Sequence, residues 1–136
     1  MPDVNAALQD AVKGQDAAVY AFGLVTAQLT GAAASAALAA MADHRVLRDY
    51  LRALLVAASA SPPAAAAAYD PPFPVNDARS ARRLAALVED RCVGQLAALV
   101  GLLPEAQRRA VASAAQLGAV RTVSWSGVAA TWPGSS

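Results

Sequence analysis

The chain has 136 residues, 57% of them hydrophobic, and 11 basic residues against 10 acidic ones for a formal net charge of +1. That length suits one domain with a core of its own. The near balance of charge argues against a nucleic-acid or anionic-membrane binder that works by bulk charge. A single cysteine, Cys92, excludes an intramolecular disulfide and fits a reducing cytoplasm.

Alanine makes up roughly a quarter of the residues, and alanine is the best helix former. Aromatic residues are scarce, so a core must come from Leu, Val and Ala. The opening Met1-Pro2-Asp3-Val4-Asn5 has no basic region leading into an apolar run, so no secretory signal is expected.

Helix 1 is predicted over about 4–30, with Asp3 as N-cap. Its seam reads Leu8, Val12, Gln15, Val19, Phe22, Thr26 and Leu29, in alternating steps of four and three, which is bundle periodicity. Gly31 is placed just past its C-terminus, where a left-handed residue allows a tight turn. Helix 2 follows over about 33–58, with Ala37, Ala40, His44, Leu47, Leu51 and Leu54 on one stripe and an Arg45–Asp49 pair away from it. No charge falls between Ala17 and Ala42, long enough for a membrane span of about 20 residues. The stretch is mostly alanine and carries Thr26, Gln28, Thr30 and Ser35, so no span is expected.

Pro62, Pro63, Pro71, Pro72 and Pro74 forbid a continuous helix through 61–76. Residues 64–69 could form a helical turn or two. The segment is expected to cross from one end of a bundle to the other, anchored by Tyr69, Phe73 and Val75. Asp77 then caps helix 3, about 78–102, with the stripe Leu84, Val88, Cys92, Leu96, Leu99 and Leu103. Pro104 suits the first position of helix 4, about 104–126, which runs through Val111, Ala114, Leu117 and Trp125. Gly127 ends it, leaving a tail over 127–136 in which Trp132 and Pro133 could fold back.

Short turn, long connection, short turn describes two helical hairpins joined by one crossover. The fold class is therefore all-α, and the connectivity is that of a ferritin-like four-helix bundle. The strings Gln15-Asp16-Ala17-Ala18-Val19-Tyr20-Ala21-Phe22-Gly23 and His44-Arg45-Val46-Leu47-Arg48-Asp49 resemble the first two helices of an alanine-rich actinobacterial ferritin-like family of unknown function. So do Ala66-Ala67-Ala68-Tyr69 through Pro74-Val75 and the terminal Trp132-Pro133-Gly134. Members of that family show Glu-His where this chain carries Gln15-Asp16. The resemblance implies a fold and no activity.

Di-metal sites in such bundles take a Glu from each of two helices and a Glu-x-x-His from each of the others. Here helix 1 offers Gln15, helix 2 Met41-x-x-His44, helix 3 Glu89, and helix 4 nothing better than Gln116. A dinuclear oxidase is therefore not expected. The candidate polar core layer is Gln15, Asp16, Asp43, His44 and Glu89. In the simpler reading the three acids pair with Arg45, Arg48 or Arg91 and His44 is a hydrogen-bonded core histidine. In the alternative, Asp16, Asp43, His44 and Glu89 hold one divalent ion.

Cys92 could face His44, but no helix N-terminus or glycine-rich loop activates it, so it reads as a buried thiol. The basic clusters at Arg45, Arg48 and Arg52, at Arg79, Arg82 and Arg83, and at Arg108 and Arg109 read as solvated helix faces, since none is interleaved with aromatic residues. Tyr20, Tyr50 and Trp125 are core or interface anchors.

The expectation is a cytoplasmic, non-catalytic structural or interaction module, forming a homodimer, with no cofactor, no nucleic acid and no membrane. The alternative is a mononuclear metal-binding or small-ligand-binding bundle that uses the polar layer.

Overall fold

The computed structural model describes residues 3–66 and 68–127, which form four α-helices and no strand. They are α1 (Val4–Ala27), α2 (Gly31–Ala57), α3 (Ala78–Val100) and α4 (Glu105–Ser126). Expectations for Trp132, Pro133 and the rest of the tail lie outside the described residues. Within these residues no helix is long and apolar enough to cross a membrane.

Several helix ends have a local cause. Asp3 accepts from the Asn5 backbone N–H at 2.9 Å and satisfies one of the free donors of α1. Asp77 accepts from Ser80 N–H while the Ser80 hydroxyl oxygen accepts from Asp77 N–H, a reciprocal capping box at α3. The Ser80 hydroxyl also donates to the Asp77 carboxylate at 2.6 Å, and this bond, with that from Ser80 N–H, holds the Asp77 carboxyl below its ordinary value. Gly127, at φ 68°, ends α4.

Two ends differ from the sequence reading. Gly31 does adopt a left-handed φ of 58°, but as the first residue of α2, after Gln28 has already closed α1. Pro104 is the N-cap of α4 and not its first helical residue. A third end carries no glycine at all. After Ala58 the chain turns through Ser59 at φ 56°, with Ser59 N–H donating to Val56 O at 3.0 Å and Ala60 N–H to Leu55 O at 2.9 Å. This is a Schellman turn built on serine.

The crossover makes no helical turn at 64–66 or 68–69. It is tied down at both ends instead. Gln9 and Arg52 donate to the carbonyls of Ser61 and Pro63, Tyr69 packs on Tyr20 at 5.9 Å, and the Arg83 guanidinium lies 4.2 Å over Phe73. Phe73 and Val75 also pack on the core, as expected of apolar anchors.

Helix α1 packs on both α2 and α3, and α4 packs on α3. Two neighbours give α1 a wide buried face of nine residues, against three on α4. That difference moves several residues off the expected stripes. Val19, Leu47, Leu54 and Val88 are half-buried, while Ala18, Leu55 and Ala85 are buried. Leu117, placed in line with Val111 and Trp125 along helix 4, is 46% exposed, whereas those two are buried. Asp49 pairs with Arg48, not Arg45.

The core has two apolar parts. One gathers Phe22, Val25, Leu84 and Trp125; the other gathers Val12, Leu51, Leu55, Leu99 and Val111. Between them along the chain positions of α1, α2 and α3 sit Gln15, His44 and Glu89.

Candidate functional site

Gln15 and Glu89 are fully buried and His44 nearly so, each from a different helix. Buried polar groups need partners, because removing them from water is unfavourable by several kcal/mol when unmatched. The imidazole supplies most of the matching. His44 Nδ1 lies 2.6 Å from Gln15 Oε1, and Nε2 lies 3.0 Å from Glu89 Oε1. The ring also stacks on Phe22, with centroids 5.5 Å apart and planes at 27°. One ring thus ties α1, α2 and α3 together.

Gln15 Oε1 can only accept, so in this arrangement the ring donates from Nδ1, while Nε2 stands against the carboxylate oxygen of Glu89.

Two atoms of this layer have no hydrogen-bond partner among the described residues, Gln15 Nε2 and Glu89 Oε2. Glu89 Oε2 faces α4 at Gly118, where a Cβ would stand 3.6 Å from it. The absence of a side chain at 118 leaves the carboxylate oxygen beside a cavity of about 280 Å³ bounded by α2, α3 and α4. Asp43, His44, Glu89, Cys92 and Arg121 contribute to its wall, and Leu47, Leu96, Ala114 and Leu117 give it an apolar lining.

The other two candidate acids do not join the layer. Asp16 is buried beside Arg48 at 3.5 Å, and Asp43 pairs at the surface with Arg121 of α4. Arg48 was among the partners expected for these acids, whereas Arg121 was not. The partner of Glu89 is histidine, not arginine. Within the described chain no three of the His, Cys, Asp and Glu side chains cluster so as to surround an ion.

Cys92 is buried, with its thiol directed at Gly14 O, 3.7 Å away. Burial, reinforced by the nearby Glu89 charge and opposed by Gln15, pushes the thiol up to about 12. A thiol so hard to ionise is a poor nucleophile.

Residues 7–136 match the family described as "Domain of unknown function (DUF4439)". The chain belongs to that family. It is also similar to a crystal structure of a conserved hypothetical protein, rv2844, from Mycobacterium tuberculosis. The two share 31% identity and a TM-score of 0.85, over 91% of this chain and 95% of that one. Among curated proteins none matches.

In this DUF4439 chain the sequence reading missed two glycines, one beside the layer and one that makes room for a neighbouring amide. Gly118 has no side-chain chemistry and gave no signal beyond its place in a helix, where glycine is unfavourable by about 1 kcal/mol relative to alanine. That misfit was the available clue. Gly14 is the second: a Cβ there would collide with Gln95 Oε1, so its smallness lets the Gln95 amide lie against α1.

Proposed function

We propose that this protein is a non-catalytic, ferritin-like bundle, acting as one domain, that has exchanged a metal layer for a small-ligand pocket. The observation that carries the reading is the cavity of about 280 Å³ lined by Glu89, one of whose carboxylate oxygens is buried without a partner among the described residues. Its size is near the lower end of ordinary ligand sites, and an apolar lining with few polar groups is their usual make-up.

The donor set does not suit a metal pair. Gln15 brings no charge, both nitrogens of His44 are engaged by Gln15 and Glu89, and α4 presents Gly118 where a fourth ligand would be needed. A single ion would have to displace the His44–Glu89 contact first.

The test is ligand-linked stability. Fragments of eight to ten heavy atoms, on the order expected from benzene filling ~150 Å³, are screened for a rise in Tm. Wild type should respond to some, and Ala114→Phe, which fills the cavity from α4, should respond to none. A library that leaves wild type unmoved would sink the reading.

A second reading, a homodimer formed through the same face, is favoured by apolar side chains at the cavity rim. Val46 is 70% exposed on α2 and Leu117 is exposed opposite it on α4. Sedimentation velocity over a hundredfold concentration range tests it, with Val46→Glu expected to abolish any dimer. A wild type that stays monomeric throughout removes this reading.

A further inference from the structure

Building on the small-ligand reading, we infer that the occupant is a small neutral molecule with an apolar body and one hydrogen-bond donor, a hydroxyl above all, directed at Glu89 Oε2. Of the polar atoms lining the cavity, Glu89 Oε2 is the one that is buried with no partner among the described residues. The half-buried Tyr50 hydroxyl also lines the cavity, and the remaining polar groups are engaged. His44 uses both ring nitrogens, the Cys92 thiol turns to Gly14 O, and Arg121 is held by Asp43 at the surface.

An acceptor oxygen selects what it meets. A carboxylate or phosphate placed against Glu89 Oε2 would set oxygen against oxygen in a site of low polarity, which disfavours an anion at that atom. A cation gains little, because Glu89 already holds His44 and the ammonium would surrender its hydration to reach a site of low polarity. A hydroxyl supplies the missing donor and brings no charge. The carbon skeleton then lies along Leu47, Leu96 and Leu117. A cavity of about 280 Å³ is nearly twice the ~150 Å³ that admits benzene, so a ring with a short arm fits. Gly118 is the positioning residue, since any side chain there would stand between the donor and Glu89 Oε2.

Four probes of matched shape separate the possibilities: 2-phenylethanol, propylbenzene, 2-phenylethylammonium and phenylacetate. Each is titrated into wild-type protein at pH 7 by calorimetry, with amide chemical shifts confirming the location at α2, α3 and α4. The alcohol should bind most tightly, about tenfold better than the hydrocarbon, as one good hydrogen bond provides. Phenylacetate should not bind. Glu89→Leu should keep hydrocarbon binding and erase the preference for the alcohol.

If alcohol and hydrocarbon bind alike, or the ammonium binds best, the donor inference fails while the pocket reading stands. If none of the four binds, both fail. The wild-type comparison decides the matter even if the Glu89 variant does not fold.

Discussion

Gly118 of α4 sits so close to α3 that a Cβ on it would lie 2.8 Å from Val93 Cγ2 and 3.6 Å from Glu89 Oε2. The close approach of these two helices depends on that hydrogen. Gly118→Ala adds about 1 kcal/mol of helix propensity but forces a methyl against a β-branched neighbour with little freedom to turn, an overpacking penalty of about 1–3 kcal/mol. The expected net is a loss of about 1 kcal/mol in urea denaturation. Val93→Ala in the same chain should recover most of it. A Gly118→Ala protein as stable as wild type would mean that Val93 yields freely.

The His44–Glu89 contact makes a second, less intuitive prediction. His44→Leu strands Glu89 with neither oxygen partnered and should lower stability by about 3–5 kcal/mol, as removing one member of a buried pair does. Replacing both residues by leucine removes the stranded charge as well. The double variant should therefore be more stable than His44→Leu alone. Equilibrium unfolding of the three proteins checks the order, and a double variant weaker than the single would contradict it.

Cys92 should ionise only above about pH 12 in the folded protein, against an ordinary value of 9.0. The unfolded chain therefore releases this proton first as pH rises. The contribution of Cys92 to stability is fully present below pH 9 and falls between about pH 9 and 12, by ~1.4 kcal/mol per pH unit. Wild type should lose stability over that range faster than Cys92→Ala, measured side by side. Labelling by a thiol reagent at pH 8 should be slow in native protein and rapid in denaturant.

Ser59 occupies a left-handed position that glycine takes without strain. Ser59→Gly should stabilise the protein by about 1 kcal/mol, the scale of the steric penalty for a side chain at that φ. An unchanged unfolding midpoint would show that Ser59 is not strained there.

Periodicity revealed the fold well because helices announce themselves through repeating apolar positions and caps. Asp3, Asp77, Gly127 and the proline run all marked real boundaries. The layer was half legible. Gln15 and His44 sit at seam positions, so their convergence follows from the bundle itself, whereas Glu89 stands one residue past Val88 of the expected stripe and is buried because α3 packs on both α1 and α4. Asp16 and Asp43, each beside a seam residue, turn away toward arginines, and a difference of one position on a helix is about 100° of rotation. The cavity was invisible for another reason. It arises from how far α2 stands from α4, a distance that no stripe encodes, and from a glycine whose contribution is its lack of a side chain. The exposure of Leu117 has the same origin.

The thin attachment of α4 has a kinetic reading. With three buried residues, and with α3 as its main neighbour, this helix is the piece most easily lifted from the rest. Amide hydrogens of residues 105–126 should exchange with deuterium ahead of those on α1, in a cooperative sub-global opening. Such an opening would also provide a doorway, since lifting α4 uncovers the oxygen of Glu89 without disturbing the imidazole that holds the other three helices.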